Sequence, residues 1–146
     1  MRIAVLNGPN LNLLGTREPA LYGRESLADV EQGLRGVARE LGAELEFAQR
    51  NGEGELIDLI HSLRGRIDGV VINAGAYTHT SIAIRDALTA IDVPYVEVHV
   101  TNVYAREPER RHSMLAPAAV GVVCGLGAYG YELALRGLTR SLAARV

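Results

Sequence analysis

Apolar and polar positions alternate along the chain on two different length scales. Short runs rich in β-branched residues predict strands, and longer stretches with apolar residues every three or four positions predict amphipathic helices. The expected strands are Arg2–Leu6, Glu44–Gln49, Gly69–Ile72, Tyr95–Val98 and Ala119–Val123. The third and fifth runs are apolar throughout, which is typical of strands that are covered on both faces.

Helices are predicted between the strands and after the last one. Ser26 precedes apolar residues at helical spacing, Asp29 completes an acidic variant of the capping box, and Gly42 ends the helix. The other helices are expected from about Glu55 to Arg64, from about Ser81 to Ala90, and from about Tyr129 to Ala144. Alternating strands and helices predict a single α/β domain over residues 1–146, a flavodoxin-like three-layer sandwich with a five-stranded parallel sheet.

Ligands of open parallel sheets bind beyond the carboxyl ends of the strands. In this sequence, that edge carries the loops that start at Asn7, Gln49, Asn73, His99 and Cys124. The loop from Asn7 to Gly23 is long for a strand-to-helix connection, and long loops in compact domains are usually lids or binding loops. Candidate chemistry is therefore expected at this edge.

Arg17 and Tyr22 in the long loop form the first candidate catalytic pair. A phenol has an ordinary pKa of about 10, but a nearby guanidinium favours the phenolate, so such a pair can abstract a proton. Asn10 could hold a water or an oxyanion through its amide. Alternatively, the loop residues only form turns, and Tyr22 only anchors the loop.

Polar residues also follow the third strand. Asn73 and His79 are candidate contacts for a polar, hydroxylated ligand, or else they have structural roles. Thr80 and Ser81 are expected to do no more than cap the following helix.

His99 stands at the end of the fourth strand and is the candidate proton donor, unless it is only structural. Glu97 lies on the same strand face, because side chains alternate with a period of two, and it could orient or charge the imidazole. The charged segment Arg106–His112 is either a self-paired surface run or the source of a guanidinium that binds ligand oxygens. Arg110 is the better candidate for that second role.

The composition of the chain argues against three kinds of function: nucleic-acid binding, catalysis through a lysine imine, and metal binding. A net charge of −2 with dispersed basic residues gives no source of affinity for nucleic acid, so the expected partner is a small molecule. All 15 basic residues are arginine, which excludes imine catalysis through a lysine. No metal site is expected, because no His, Cys or carboxylate pair at ligand spacing has a third partner.

Two further expectations concern the environment of the protein. The single cysteine, Cys124, lies in an apolar run and predicts a buried thiol in a reducing compartment. No stretch approaches the roughly 18 apolar residues of a membrane span, and the first apolar run is too short for a signal peptide. We therefore expect a cytoplasmic protein with no membrane association.

Four segments carry polar motifs in order along essentially the whole chain, at Asn7–Gly15, Arg17–Gly23, Ile72–Ser81 and Glu97–Asn102. Together they closely resemble the type II 3-dehydroquinate dehydratases. The resemblance implies an anti elimination of water from 3-dehydroquinate, giving 3-dehydroshikimate through an enolate. It implies no metal, no other cofactor and no Schiff base, and a place in the shikimate pathway or in quinate catabolism.

The resemblance also implies the roles of the catalytic residues. Tyr22 corresponds to the phenolate base, and Arg17 to the residue that stabilises it. His99 corresponds to the acid that protonates the departing hydroxyl. Asn10 corresponds to the residue that holds a water near the enolate oxygen, and Glu97 to the residue that orients the acid.

Substrate-binding positions follow from the same resemblance. They are the side chains of Asn73, His79 and Arg110, the backbone amides of Val100 and Thr101 with the Thr101 hydroxyl, and Asp86. Asp86 corresponds to a residue that reaches the site of a neighbouring subunit in a homotrimer, and four such trimers usually form a dodecamer. Arg106 corresponds to a supporting residue.

The chain departs from the family pattern at three positions. Glu109 stands where an aromatic residue is usual, which could change the packing of Arg110, and Arg50 and Gly52 differ from the commoner form.

Two rival classes of protein are less consistent with the residues of this chain. A phospho-receiver module of the same fold would need an acidic cluster and a lysine, and this chain has no lysine. A flavin-binding module would need a run of backbone N–H donors around the phosphate, and Pro9 removes one of them. An inactive relative would not be expected to retain Tyr22, Arg17 and His99.

Overall fold

The computed structural model describes residues 1–145 and contains five strands. They are β1 (Arg2–Asn7), β2 (Glu44–Gln49), β3 (Gly69–Asn73), β4 (Tyr95–His99) and β5 (Gly121–Cys124). All pairings are parallel, in the order β2-β1-β3-β4-β5. This is the flavodoxin-like order, so the predicted fold class is confirmed.

Helices cover both faces of the sheet. In residues 1–145 they are α1 (Pro19–Tyr22), a single turn, α2 (Leu27–Leu41), α3 (Glu53–Ser62), α4 (Ile82–Ala90) and α5 (Tyr129–Ala143). The predicted capping box is present, because the Ser26 side chain accepts a hydrogen bond from the Asp29 amide and the Asp29 carboxylate accepts one from the Ser26 amide. Gly42 ends α2 with a positive φ of 69°, as expected for a glycine cap.

The core lies in two layers because successive side chains of a strand point to opposite faces. From β1, Ile3 and Val5 pack with α2 and α5, whereas Ala4 and Leu6 pack with α3 and α4. The two layers pack against opposite faces of the sheet, so the loops at its carboxyl edge start from strand ends that are held in place. None of the helices within residues 1–145 has the length and apolar character needed to span a bilayer.

Three expectations are corrected at β5 and α3. The prediction that the fifth strand is covered on both faces is wrong: β5 is an edge strand, and Val122 is 40% exposed. Cys124 is only partly buried, for the same reason. An apolar run cannot reveal which strand lies at an edge, because that depends on the order of the sheet. Helix α3 begins at Glu53, earlier than predicted.

Candidate active site

The carboxyl ends of three neighbouring strands bring polar residues to one edge of the sheet. Asn7 of β1 is in register with Asn73 of β3, and β4 lies beside β3 and ends at His99. The two loops that leave β1 and β3 also touch, since the Gly8 amide donates a hydrogen bond to the Asn73 carbonyl at 2.8 Å. A Cβ atom at Gly8 would collide with the Ala74 carbonyl, so this close approach requires glycine.

A cavity of about 130 Å³ opens at this edge. It collects most of the predicted site residues: Asn10, Arg17, Tyr22, Asn73, His79, His99, Val100, Thr101 and Arg110. Glu97 lies behind His99 rather than at the cavity surface, and it is 1% exposed. Asp86 lies on α4, outside the cavity of this chain, where its exposed carboxylate is 3.7 Å from Arg85.

Two guanidinium groups flank the Tyr22 ring. The Cζ atom of Arg17 is 4.9 Å from the ring centre, and that of Arg106 is 5.3 Å away. Both distances fall within the range of a cation–π contact. Within residues 1–145, the Tyr22 hydroxyl has no hydrogen-bond partner. The ring is therefore held through its face while its hydroxyl remains available to a ligand.

The Asn10 loop is fixed by the last residue of β2 and by the turn that follows it. The Asn51 side-chain oxygen accepts hydrogen bonds from the Asn10 amide at 3.1 Å and from Gln49 Nε2 at 2.9 Å. Gln49 Nε2 also donates to the Gly8 carbonyl at 3.0 Å. Asn10 itself adopts a left-handed conformation with φ of 70°, which Asn tolerates better than most residues.

His99 and Glu97 form a short buried pair. His99 Nε2 and Glu97 Oε2 are 2.6 Å apart, and the imidazole is 5% exposed. The second carboxylate oxygen, Oε1, accepts a hydrogen bond from the Ser113 hydroxyl at 2.6 Å. Because Nε2 is engaged with Glu97, Nδ1 is the ring nitrogen left for a ligand.

The His79 ring stacks on that of His99, with ring centres 6.1 Å apart and an interplanar angle of 22°. His79 Nδ1 lies 2.8 Å from the His112 carbonyl oxygen, which can only accept, so Nδ1 carries a hydrogen. Burial lowers the pKa of His79 and outweighs the hydrogen bond to the His112 carbonyl, which raises it; the nearby His99 and Arg110 add smaller lowering effects. A neutral His79 can offer its other nitrogen to a ligand.

Asn73 belongs to a buried network. Its Nδ2 donates to the Tyr131 hydroxyl at 3.0 Å, and its Oδ1 accepts from the Gly75 amide at 3.1 Å. The Tyr131 hydroxyl in turn donates to Asn7 Oδ1 at 2.7 Å. Burial raises the pKa of Tyr131, which keeps it a neutral donor. The network fixes the rotamer with which Asn73 faces the cavity.

The charged segment after β4 is paired within itself and also borders the cavity. Glu107 Oε1 pairs with Arg110 Nε at 3.0 Å and with Arg106 Nε at 3.3 Å, so the run is self-paired. Yet Arg106 and Arg110 also line the cavity, and Arg106 Nη1 lies 3.4 Å from the Thr101 hydroxyl. Glu107 is half-exposed, which leaves both guanidinium groups able to bind an anion.

Comparisons with known proteins place this arrangement in a family. The sequence model described as "Dehydroquinase class II" matches residues 1–139. The chain belongs to the class II dehydroquinase family. The predicted resemblance is therefore confirmed.

Individual members of the class II dehydroquinases are similar over nearly the whole chain. A 3-dehydroquinate dehydratase of Gemmatimonas aurantiaca is 66% identical, covering 97% of this chain and 93% of the relative. A catabolic 3-dehydroquinase of Aspergillus oryzae is 57% identical, covering 91% and 87%. The crystal structure of the type II dehydroquinase from Propionibacterium acnes superposes with a TM-score of 0.90 at 44% identity, covering 95% and 96%.

A larger groove of about 570 Å³ lies beside the cavity of this class II dehydroquinase. Tyr22, Thr101 and Arg106 border both spaces, but neither His99 nor Asn73 reaches the groove. Size favours the groove, but two histidines and two amides line the smaller cavity and not the groove, namely His79, His99, Asn10 and Asn73. We assign the site to the smaller cavity because a reaction needs those groups more than it needs volume.

Sequence reasoning missed three residues that support the site. Ser113 contacts Glu97, Tyr131 contacts Asn73, and Asn51 contacts the Asn10 loop. Each lies far along the chain from its partner, so local spacing gives no signal for the contact. Among residues 1–145, no group of three or more His, Cys, Asp or Glu side chains is arranged to hold a metal ion.

Proposed function

We propose that this chain dehydrates 3-dehydroquinate to 3-dehydroshikimate by anti elimination through an enolate. The observation that carries the proposal is the convergence of two groups on one cavity of about 130 Å³: Tyr22 with its guanidinium neighbours, and His99 with its carboxylate. An elimination of water needs one base and one acid at separate points of the substrate. The cavity offers both.

Tyr22 acts as the base in this proposal. Its phenolate takes the proton beside the ketone, and the electron pair of the broken C–H bond moves into the carbonyl to form an enolate. Arg17, with its Cζ atom 4.9 Å from the ring centre, stabilises the negative charge before transfer. Asn10 holds a water against the developing enolate oxygen, which spreads the new charge.

His99 acts as the acid in the second step. The enolate collapses back to the ketone, the C–O bond of the tertiary hydroxyl breaks, and His99 gives that oxygen a proton so that it leaves as water. Glu97, 2.6 Å from Nε2, stabilises the charged imidazole and orients it. The new carbon–carbon double bond is conjugated with the ketone.

Substrate binding uses the remaining cavity residues. Arg110 and the neutral His79 bind hydroxyl oxygens, and the Asn73 amide, held by Tyr131, contacts the ring substituents. The backbone amides of Val100 and Thr101, with the Thr101 hydroxyl, bind the carboxylate. No lysine exists in the chain, so substrate activation as a lysine imine has no source.

The proposal extends to assembly and location. We propose a homotrimer in which Asp86, exposed on α4, completes the cavity of a neighbouring subunit, and a dodecamer of four trimers. We also propose that the enzyme works in the cytoplasm and requires no cofactor.

The decisive experiment is an ultraviolet assay of the purified full-length chain with 3-dehydroquinate, with and without a chelator. We expect the absorbance of the conjugated enone to rise at the same rate in both. No rise with either sample would overturn the proposed activity, and a rise that the chelator abolishes would overturn the metal-independent mechanism. A flavin spectrum in the purified protein would favour the rival binding module.

A further inference from the structure

Ser113, which no pattern in the sequence singles out, donates a hydrogen bond to Oε1 of the buried Glu97 carboxylate, the oxygen that does not contact His99. We propose that Ser113 is a positioning residue: its hydroxyl holds Glu97 so that the hydrogen of His99 stays on Nε2 and Nδ1 faces the ligand. The inference rests on the proposed function in one respect, namely that His99 is the acid. It concerns which nitrogen of that acid faces the substrate: with Nε2–H donating to Glu97, His99 takes up its second proton at Nδ1, gives that proton to the leaving oxygen, and returns to the neutral form with its hydrogen on Nε2.

The hydrogen bonds of the Ser113 hydroxyl determine its direction. A serine hydroxyl has one hydrogen to donate and two lone pairs to accept with. The Leu115 amide donates to Oγ at 3.1 Å, and the Ala116 amide donates at 3.0 Å. Both lone pairs are thus occupied, and the single hydrogen is left for Glu97 Oε1 at 2.6 Å.

This arrangement restricts where Glu97 can carry a proton. A proton on Oε1 would point at Ser113 Oγ, whose lone pairs are already used, so Oε1 has to be an acceptor. The distances of 2.6 Å on both carboxylate oxygens fit charge-assisted hydrogen bonds to an ionised Glu97. An ionised Glu97 accepts at Oε2, so His99 Nε2 has to donate there.

The segment that carries Ser113 is fixed on both sides. The Met114 amide donates to the Thr78 carbonyl at 2.8 Å, and the Tyr95 hydroxyl donates to the Leu115 carbonyl. Leu115 is completely buried. The serine is therefore held by packing and by backbone contacts, which is what a precise hydrogen bond to Glu97 requires.

Two variants separate positioning from loop structure. Ser113→Ala removes the hydroxyl, whereas Ser113→Thr keeps it and is the conservative rescue. Pro117→Ala is the matched control, because Pro117 is exposed in the turn Ala116–Ala118 that follows and is not a hydrogen-bond partner of Glu97. Thermal unfolding of each variant shows whether the fold is retained.

The first readout is the tautomer of His99, measured by solid-state NMR of sedimented full-length protein labelled with ¹⁵N-histidine. The chain has only four histidines, and His99→Gln identifies the signal. We expect wild type, Ser113→Thr and Pro117→Ala to carry the hydrogen on Nε2. In Ser113→Ala we expect a second population with the hydrogen on Nδ1 and a bare Nε2.

The second readout is turnover. General acid catalysis contributes about 10²–10⁴-fold, and we expect Ser113→Ala to lose at least about tenfold in kcat. Because the serine does not touch the substrate, KM should change by less than about threefold, the limit we set for a retained binding site. Ser113→Thr should recover most of the lost kcat, and Pro117→Ala should behave like wild type.

Several outcomes would overturn the inference. One is a folded Ser113→Ala variant whose His99 signal is the same as in wild type. Another is a folded Ser113→Thr variant whose kcat is as low as that of Ser113→Ala. If Ser113→Ala does not fold, wild-type protein still decides, since a bare Nε2 on its His99 contradicts the argument. A wild-type chain that forms no enone would instead contradict the proposed function, because the NMR signal does not depend on turnover.

Discussion

The guanidinium of Arg17 lies over the Tyr22 ring, with its Cζ atom 4.9 Å from the ring centre. Arg106 approaches the same ring at 5.3 Å, so two positive charges surround one phenol. Arg106 is also paired with the half-exposed carboxylate of Glu107, 3.3 Å from its Nε atom, whereas Arg17 forms no ion pair within residues 1–145. These two contacts are the physical basis on which Tyr22 is proposed as the base.

Replacing Tyr22 with Phe should abolish most of the activity. The substitution removes the oxygen that takes the proton but keeps the ring that the two guanidinium groups contact, so the fold should persist. We expect kcat to fall by about 10²–10⁴-fold, the usual contribution of a general base, with little change in substrate affinity. Steady-state kinetics and calorimetric titration of the substrate check both parts.

Tyr104→Phe provides the matched control for that variant. Tyr104 is an exposed tyrosine and should lose nothing when its hydroxyl is removed. Wild-type turnover in Tyr22→Phe would remove Tyr22 from the role of base.

Replacing Arg17 with Gln should move the acidic limb of the pH profile of kcat/KM to higher pH. The reason is that the phenolate loses a positive neighbour and forms less readily. Arg106→Gln should act in the same direction, because that guanidinium also contacts the ring. Arg39→Gln, on the exposed face of α2, is the control and should leave the profile in place. Identical profiles for Arg17→Gln and wild type would contradict the role of Arg17.

Two features of the site could be predicted from the sequence, because they depend only on the geometry of the strands. The period of two placed Glu97 and His99 on one face of a strand, and they are 2.6 Å apart. Strand ends in a parallel sheet lie at one edge, and that rule brought the loops of Asn73 and His99 together. Both predictions follow from backbone geometry.

The contacts that could not be predicted join distant segments by side chains. Tyr131 on α5 reaches Asn7 and Asn73 through the interior, and a tyrosine in an amphipathic helix gives no sign of such a partner. Similarly, the exposure of β5 depends on strand order rather than on its own apolar composition. These features are set by tertiary packing, which a local pattern does not contain.

Replacing Tyr131 with Phe should weaken both the fold and substrate binding. The change leaves Asn7 Oδ1 and Asn73 Nδ2 without the hydroxyl that joins them, in a completely buried place. An unsatisfied buried polar group costs about 1–3 kcal/mol of the free energy of unfolding. KM should rise because Asn73 loses its support. Chemical denaturation and steady-state kinetics measure the two effects.

The control for this variant lies on the same helix. Tyr129 is 58% exposed at the start of α5, so Tyr129→Phe should leave stability and KM unchanged. Equal stability of Tyr131→Phe and wild type would mean that the network does not hold Asn73.

His79 should make the folded protein less stable at acidic pH. Its pKa in the folded state lies below the ordinary value of 6.5, chiefly because burial disfavours the charged ring. The unfolded chain therefore binds a proton more readily than the folded chain, and stability falls as the pH drops through 6.5 toward the lower folded pKa. His79→Asn should show a smaller loss of unfolding free energy over that interval, at equal protein concentration.

His61 offers the comparison for this titration. It is an exposed histidine on α3, and His61→Asn should keep the pH dependence of the wild type. If the unfolding free energy of His79→Asn falls as steeply as that of wild type when the pH drops, the acid sensitivity arises from another group.

Asp86 allows a test of whether neighbouring subunits share a site. Its carboxylate is exposed on α4, away from the cavity of its own chain. Asp86→Ala and Tyr22→Phe chains should each be nearly inactive alone. When they are co-expressed with different tags and purified through both, some sites combine an intact Tyr22 with an intact Asp86 from the neighbour. A cyclic trimer that contains both kinds of chain has one such site among its three, so the purified mixed trimers should recover about one third of the wild-type activity. An Asp86→Ala chain with full activity, or mixed assemblies as inactive as their parents, would show that each chain completes its own site.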